Sequence, residues 1–300
     1  MVRTDQNFPK MANVETQIFI DGKPFPRCLS EKMIRSGKTI KTYPDDTFIA
    51  TYAKTGTTWV QHIVCQLMIE DYKAEIGKEM FTYAPMLEDA GAKVVDLLPR
   101  PRIIKSHYTY QDIPKNPKAK YILVTRNPKD VCVSLFHMGK LFKTGEYNHV
   151  DFDGFFELFM AGNVFFGCYF KYHKEWFDQM KNHNMLLLKY EDLIHDLKGA
   201  VVDIGEFLGG QPSDKVKHPE IVEKIALAST FDAMKQGDQR RWIPEVFLLD
   251  SQKFVRKGII GDWRNHFTKE QSDRVDEAYR NAFKGTVAEG WWQEEMKWDP

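Results

Sequence analysis

Two segments far apart in this chain carry residues fit to hold phosphate. One is Thr51-Tyr-Ala-Lys-Thr-Gly-Thr-Thr-Trp59 and the other is Arg256-Lys-Gly-Ile-Ile-Gly-Asp-Trp-Arg264. The first reads as an anion cradle between a strand and a helix. A helix N-terminus exposes unpaired N–H groups and the positive end of its dipole, and both favour phosphate. Lys54 adds a point charge, Thr57 and Thr58 add hydroxyl donors, and Trp59 supplies an aromatic platform. Gly56 lets the backbone approach closely. The second segment is basic and punctuated by Gly258 and Gly261, which suits a second phosphate. A ligand with two phosphates and a base between them would need both loops. The P-loop pattern G-x-x-x-x-G-K-[ST] is absent, because Gly56 is the only glycine of the first loop and the lysine precedes it. A nucleotide or nucleoside kinase would need that lysine after the glycine and an acid for magnesium, and would leave the second loop unexplained.

The elements that must position these loops are legible as short apolar runs followed by helical periods. Residues 47–52, 102–107, 121–125 and 185–190 read as strands. After the first, Val60, Ile63, Val64, Leu67 and Met68 recur at i, i+3, i+4, i+7 and i+8. After the third, a helix is expected from about Lys129, with Pro128 suited to its first turn. After the fourth, Leu193, Leu197, Ala200, Val201, Ile204 and Leu208 keep helical spacing up to Gly209-Gly210. Continuous apolar strands alternating with amphipathic helices define an α/β fold, with a central parallel sheet and helices on both faces. Ligands of such sheets bind at the carboxyl ends of the strands. Lys54, Lys105, Ser106, His107, Arg126 and Tyr190 all fall there.

The bulk properties agree with one large core. The chain has 300 residues, 43% hydrophobic and 28% charged. No repeat or low-complexity linker divides it, so the expected layout is a loosely structured arm over 1–40 and a single domain over 41–300. Lys+Arg and Asp+Glu are both 42, so no global field favours nucleic acid or an anionic membrane. Cys28, Cys65, Cys132 and Cys168 lack CxxC spacing and read as reduced thiols of a cytoplasmic protein, with no zinc site or disulfide framework. The N-terminus has no apolar h-region. The longest apolar stretch, 59–69, is interrupted by Gln61, His62 and Gln66 and is too short to span a bilayer.

With those residues in hand, the chain resembles the cytosolic sulfotransferase family. The first loop is similar to that family's 5′-phosphosulfate-binding loop, TYPKSGTTW. The segment from Arg256 to Thr268 is similar to its 3′-phosphate motif, RKGxxGDWKNxFT, and Arg126-Asn-Pro-Lys-Asp-Val-Cys-Val-Ser134 matches RNxKDxxVS. Order and spacing agree from about residue 40 to 270. The resemblance implies a P-loop-like nucleotide-binding domain that moves a sulfuryl group from 3′-phosphoadenosine 5′-phosphosulfate (PAPS) to a small lipophilic hydroxyl or amine, with no metal. It implies that Lys54, Thr55, Gly56, Thr57 and Thr58 hold the phosphosulfate end. Trp59 would stack on adenine with help from Phe231, and Tyr190 and Ser229 would border the adenosine. Arg126, Ser134, Arg256, Lys257 and Gly258 would bind the 3′-phosphate.

His107 closes Lys105-Ser-His107, where the family places KTH or KSH. A neutral imidazole near its reference pKa of about 6.5 can accept a proton at neutral pH. His107 is therefore the expected base for an attacking acceptor, with Lys54 and Lys105 stabilising developing charge. The resemblance implies that Ser134 restrains Lys54 until acceptor arrives. His62, His137, His173 and His266 lack such a setting and read as structural. Ala53 stands where the family has proline, and Thr55 where it has serine. The family's dimerisation motif overlaps Arg264, Thr268, Lys269 and Asp273, and Lys269 in place of valine removes an apolar contact, so the oligomeric state stays open. The positions where phenol-sulfating relatives hold their acceptor fall on Met86 and Met138, with Phe136, Phe142 and Phe247 nearby, and Ser106 lies between the two catalytic candidates. Phenols, catecholamines and steroid alcohols all remain acceptors to consider. A non-catalytic binder of the same fold is the other reading, and intact Lys54, Lys105, His107 and Ser134 oppose it.

Overall fold

The computed structural model describes residues 17–70, 72, 77–145, 147–182, 184–236 and 256–299. The chain begins with an antiparallel hairpin of β1 (Ile18–Ile20) and β2 (Lys23–Phe25), followed by α1 (Glu31–Gly37). The sheet strands are β3 (Thr47–Thr51), β4 (Ile103–Ser106), β5 (Lys120–Thr125) and β6 (Met185–Lys189). Between β3 and β4 lie α2 (Thr57–Met68), α3 (Gly77–Tyr83) and α4 (Leu87–Val95). Between β5 and β6 lie α5 (Pro128–Gly139), α6 (Phe152–Ala161) and α7 (Tyr169–Phe177). After β6 come α8 (Tyr190–His195), α9 (Leu197–Leu208), α10 (Gly210–Val216), α11 (Pro219–Ala228) and α12 (Phe231–Gln236), and later α13 (Lys269–Phe283).

The strand order is β4-β3-β5-β6, and every pairing in this sheet is parallel. Alternate residues of each strand enter opposite cores, as a period of two requires. Phe48, Ala50, Ile104, Tyr121 and Leu123 join one, beneath α1, α4, α5, α6, α7 and α13. Ile49, Ile103, Ile122, Val124 and Leu188 join the other, beneath α2, α9 and α11. Burial on both faces explains why the strands read as unbroken apolar runs. The chain leaves β3 toward β4 on one side, then crosses back to β5 on the other. The crevice between the ends of β3 and β5 is thus the topological switch point, where α/β sheets bind ligands. No helix among the described residues is long and apolar enough to cross a membrane.

The N-terminal expectation needs correction. Residues 1–16 lie outside the described residues, but the rest of the expected arm is built into the body. Ile20, Phe25, Leu29 and Ile34 are buried in the first core. Lys23 pairs with Asp112 at 2.5 Å, and the Phe166 N–H donates to the Pro24 carbonyl at 2.9 Å. Asp21-Gly22, with φ of 53° and 74°, turns the hairpin, a strong hairpin signal. Its flanking strands are too short to show a period. The helix after the fourth strand is also divided, because Asp196 leaves helical geometry and caps α9 through its side chain.

Candidate active site

The loop after β3 forms the first half of the site. Lys54 has φ 70° and Gly56 φ 115°, so the chain turns sharply before α2. A Cβ on Gly56 would stand 3.0 Å from the Tyr190 ring, a tight contact, so glycine is favoured there on space as well as on φ. Gly56 is the N-cap of α2, where no side chain caps the helix. The Thr55 hydroxyl donates to the Tyr52 carbonyl at 2.8 Å, and the hydroxyls of Thr51 and Thr57 share a hydrogen bond of 2.5 Å. Trp59 is fixed by its Nε1, which donates to the Ser229 carbonyl at 2.7 Å, and by an edge contact with Tyr190 at 5.4 Å. The Ser229 hydroxyl accepts from Gln66. Thr55 and Ser229 therefore support the cavity wall, whereas Lys54, Gly56, Thr57, Thr58, Trp59 and Tyr190 line it.

The second half joins the end of β5 to the 256–264 loop. Arg126 lies over the Tyr190 ring at 4.1 Å and donates from Nη2 to the Ile259 carbonyl at 2.9 Å. Its buried Nε has no hydrogen-bond partner among the described residues. A buried guanidinium N–H left unmade is costly, and an anion arriving at this wall would satisfy it. Arg256 and Lys257 both pair with Asp262, Lys257 at 2.6 Å. Burial pushes the Asp262 carboxyl up, but bonds from Lys257, Arg256 and Asn265 outweigh it and hold the group well below the usual carboxylate range. Gly258 has φ 66°, and a Cβ there would meet the Phe231 ring at 2.2 Å. Only glycine lets this loop close onto the ring. Arg126, Ser134, Phe231, Arg256, Lys257 and Gly258 all line the same cavity as the first loop, though the two loops are some two hundred residues apart in sequence.

Lys105 and His107 stand at the end of β4, beside this cradle. His107 Nδ1 lies 2.8 Å from the Thr51 carbonyl. A carbonyl only accepts, so Nδ1 carries the proton and the neutral ring keeps its lone pair on Nε2. Burial, then the charge of Lys105, pulls His107 down to about 3, so the imidazole is neutral at physiological pH. Burial also lowers Lys54 to about 7, with help from Arg126, Arg256 and Lys105, and lowers Lys105 to about 8 against the pull of Glu88 and Asp89. Such concentrated positive charge favours an anionic ligand.

Glu88 is a residue of this site that sequence reasoning missed. One carboxyl oxygen accepts from the Ser106 hydroxyl at 2.8 Å and from the His107 N–H at 2.6 Å. Burial raises its pKa to about 7. Ser106 thus acts from behind the cavity wall, by holding Glu88. Glu88→Ala should lower kcat by about tenfold through loss of these bonds, with the KM for the donor nearly unchanged, and Glu88→Gln should restore most of the loss. Steady-state kinetics in both substrates would show it. A change confined to the donor KM would remove Glu88 from this role.

The remaining wall is mainly apolar, with Asp89 the acidic exception. The whole cavity measures about 850 Å³. Met86 and Met138 line it as expected, and so does Phe142, while Phe136 is core and Phe247 lies outside the described residues. The unforeseen contributors include Leu29, Met33, Phe81, Ala90, Val94 and Phe166. Phe166 holds φ 67° and lies 4.5 Å from the His107 ring. The residues of the expected dimer motif have partners within the chain. Thr268 caps α13, Lys269 pairs with Asp273 at 2.6 Å, and Arg264 donates to the Lys297 carbonyl.

A basic cradle at the switch point of a parallel sheet, opening onto an apolar chamber, has the layout of a site for an anionic ligand beside an apolar one. The family model for the sulfotransferase domain matches residues 44–287. Sulfotransferase 1C2 of Rattus norvegicus is 33% identical over 270 residues, covering 83% of this chain and 86% of that protein. Sulfotransferase 2B1 of Mus musculus is 36% identical over 282 residues, covering 90% and 81%. The crystal structure of mouse sulfotransferase SULT7A1 complexed with PAP superposes with a TM-score of 0.77 at 25% identity, over 91% of this chain and 97% of that one. The chain belongs to the sulfotransferase family, and it is a sulfotransferase.

Proposed function

We propose that this enzyme transfers the sulfuryl group of PAPS to a hydroxyl or amine of a small lipophilic acceptor, with His107 as general base. PAPS is the donor. The observation that carries the reading is the junction at His107, where the anion cradle meets the apolar chamber. The unpartnered Arg126 Nε and the close approach of Gly258 to Phe231 both fit a nucleotide with a second phosphate. Arg126, Arg256 and Lys257 would hold the 3′-phosphate, and Trp59 and Phe231 the adenine. Lys54, Thr57, Thr58 and the N-terminus of α2 would hold the 5′ end.

In the transfer step, His107 Nε2 takes the proton of the acceptor as its oxygen or nitrogen bonds to sulfur. The bond from sulfur to the bridging oxygen breaks, and 3′-phosphoadenosine 5′-phosphate (PAP) leaves. Lys54 and Lys105 stabilise charge on the sulfuryl and bridging oxygens, and Ser134 restrains Lys54 until acceptor binds. Met33, Met86 and Met138 give the chamber flexible, polarizable walls, suited to irregular apolar acceptors such as phenols, catecholamines or steroid alcohols. No disulfide joins the described cysteines, as suits a cytoplasmic enzyme.

Calorimetric titration tests the donor site. PAP should bind tightly and ATP with magnesium weakly. PAP affinity should fall as pH rises from about 7 to about 9, because Lys54 is held at about 7 and loses its charge over that range. A preference for ATP would overturn the assignment.

A further inference from the structure

The Trp-rich carboxyl-terminal segment takes no part in the step above, yet it is bonded to the elements that carry the second phosphate site. Trp292 is buried, and its φ of 56° is left-handed, an outlier for so bulky a residue that persists only where its surroundings over-determine it. Its Nε1 donates to Glu191 Oε2 at 2.8 Å. The other oxygen of Glu191 accepts from the backbone N–H and the Nδ2 of Asn127, at 2.9 and 3.1 Å. Asn127 follows Arg126 directly and caps α5. Its Nδ2 also donates to Asp130, which accepts from the Gly261 and Trp263 N–H groups at 2.7 and 3.1 Å. One network of bonds therefore joins the tail to both halves of the clamp.

A second grip is independent of the first. Trp263 Nε1 donates to the Glu295 carbonyl at 2.9 Å, and Lys129 Nζ to the Met296 carbonyl at 2.6 Å. Trp298 packs on Trp263 with ring centres 5.9 Å apart. The tail thus fastens α5, which follows Arg126, and the 3-10 turn Asp262–Asn265, which follows Gly258.

We propose that residues 288–298 are a strap that sets the spacing of the 3′-phosphate clamp, with Trp292 and Glu191 as positioning residues; this rests on the nucleotide reading given above. Neither residue lines the cavity. Both act through Asn127 and the loop it holds, so the strap bears on recognition of the 3′-phosphate more than on the 5′ end.

Trp292→Phe keeps an aromatic ring and deletes the N–H. Binding of PAP and of 5′-AMP, which lacks the 3′-phosphate, would be measured on wild type and variant. PAP should weaken about tenfold and 5′-AMP less than about twofold, as expected when a buried carboxylate loses a donor. The acceptor KM should stay in place. Equal losses for both nucleotides mean general loosening and overturn the strap. No loss of PAP binding, in a wild type that prefers PAP, overturns the strap alone. A wild type without that preference overturns the nucleotide reading and the strap with it. Should Trp292→Phe not fold, Trp298→Ala at its half-buried site makes the same test, with PAP weakened about threefold and 5′-AMP unchanged.

Discussion

His107→Ala should lower kcat by about a thousandfold and change the affinity for PAP by less than about twofold, the size expected when a positioned general base is removed. In the proposed role, the geometry decides which nitrogen acts. Nδ1 is committed to the Thr51 carbonyl, so only Nε2 can take a proton. The low value of about 3 comes from burial and from the two lysines near the ring. Arrival of the donor's negative charges beside the ring raises it toward that of an effective base. In the free enzyme His107 is neutral from about pH 5 to 8 and contributes no protonation limb there. An alkaline fall in kcat/KM is expected instead from Lys54 and Lys105, at about 7 and about 8. The variant should keep that alkaline limb. Turnover within about tenfold of wild type would remove His107 from the base role.

Arg126→Ala should weaken PAP about a hundredfold and 5′-AMP by less than about threefold, because the proposed clamp would lose a buried charge pair with the 3′-phosphate while the 5′ cradle stays. Arg126 also packs over Tyr190 and holds the Ile259 carbonyl, so Arg126→Lys is the control that keeps the charge. Lysine lacks the planar fork. It should recover part of the loss in PAP affinity. Competition binding with the two nucleotides separates the outcomes. Parallel losses for PAP and 5′-AMP would place Arg126 in the fold of the site and outside the clamp.

Both predictions concern residues legible in the sequence alone, and the reason is physical. A loop that cradles phosphate needs glycine and a cation at fixed spacing, and these are rare enough to stand out in a string of letters. The strands are legible because burial on both faces leaves an unbroken apolar run. Glu88 is not legible. It sits in Pro85-Met-Leu-Glu-Asp, where nothing local marks it, and a parallel bridge between Met86 and Lys105 brings it to Ser106 and His107. The hairpin over 18–25 escapes sequence reading because three-residue strands show no period. The tail tryptophans are visible as letters, but their partners Glu191 and Trp263 lie elsewhere in the chain. What is local in sequence can be read, and what depends on pairing across the fold cannot.

The two halves of the cavity draw on different stretches of chain. The cradle takes residues 54, 56–59, 126, 134, 190 and 256–258, and the apolar chamber takes 29, 33, 86, 90, 94, 138, 142 and 166. Of the described elements that supply these residues, only α5 serves both, with Ser134 in one and Met138 in the other. Substitutions can therefore accumulate in the chamber without disturbing the cradle. A lineage built this way can diversify in what it modifies while its donor stays constant, and an engineer can graft a new chamber wall from α1 or α4 and leave donor binding as it was.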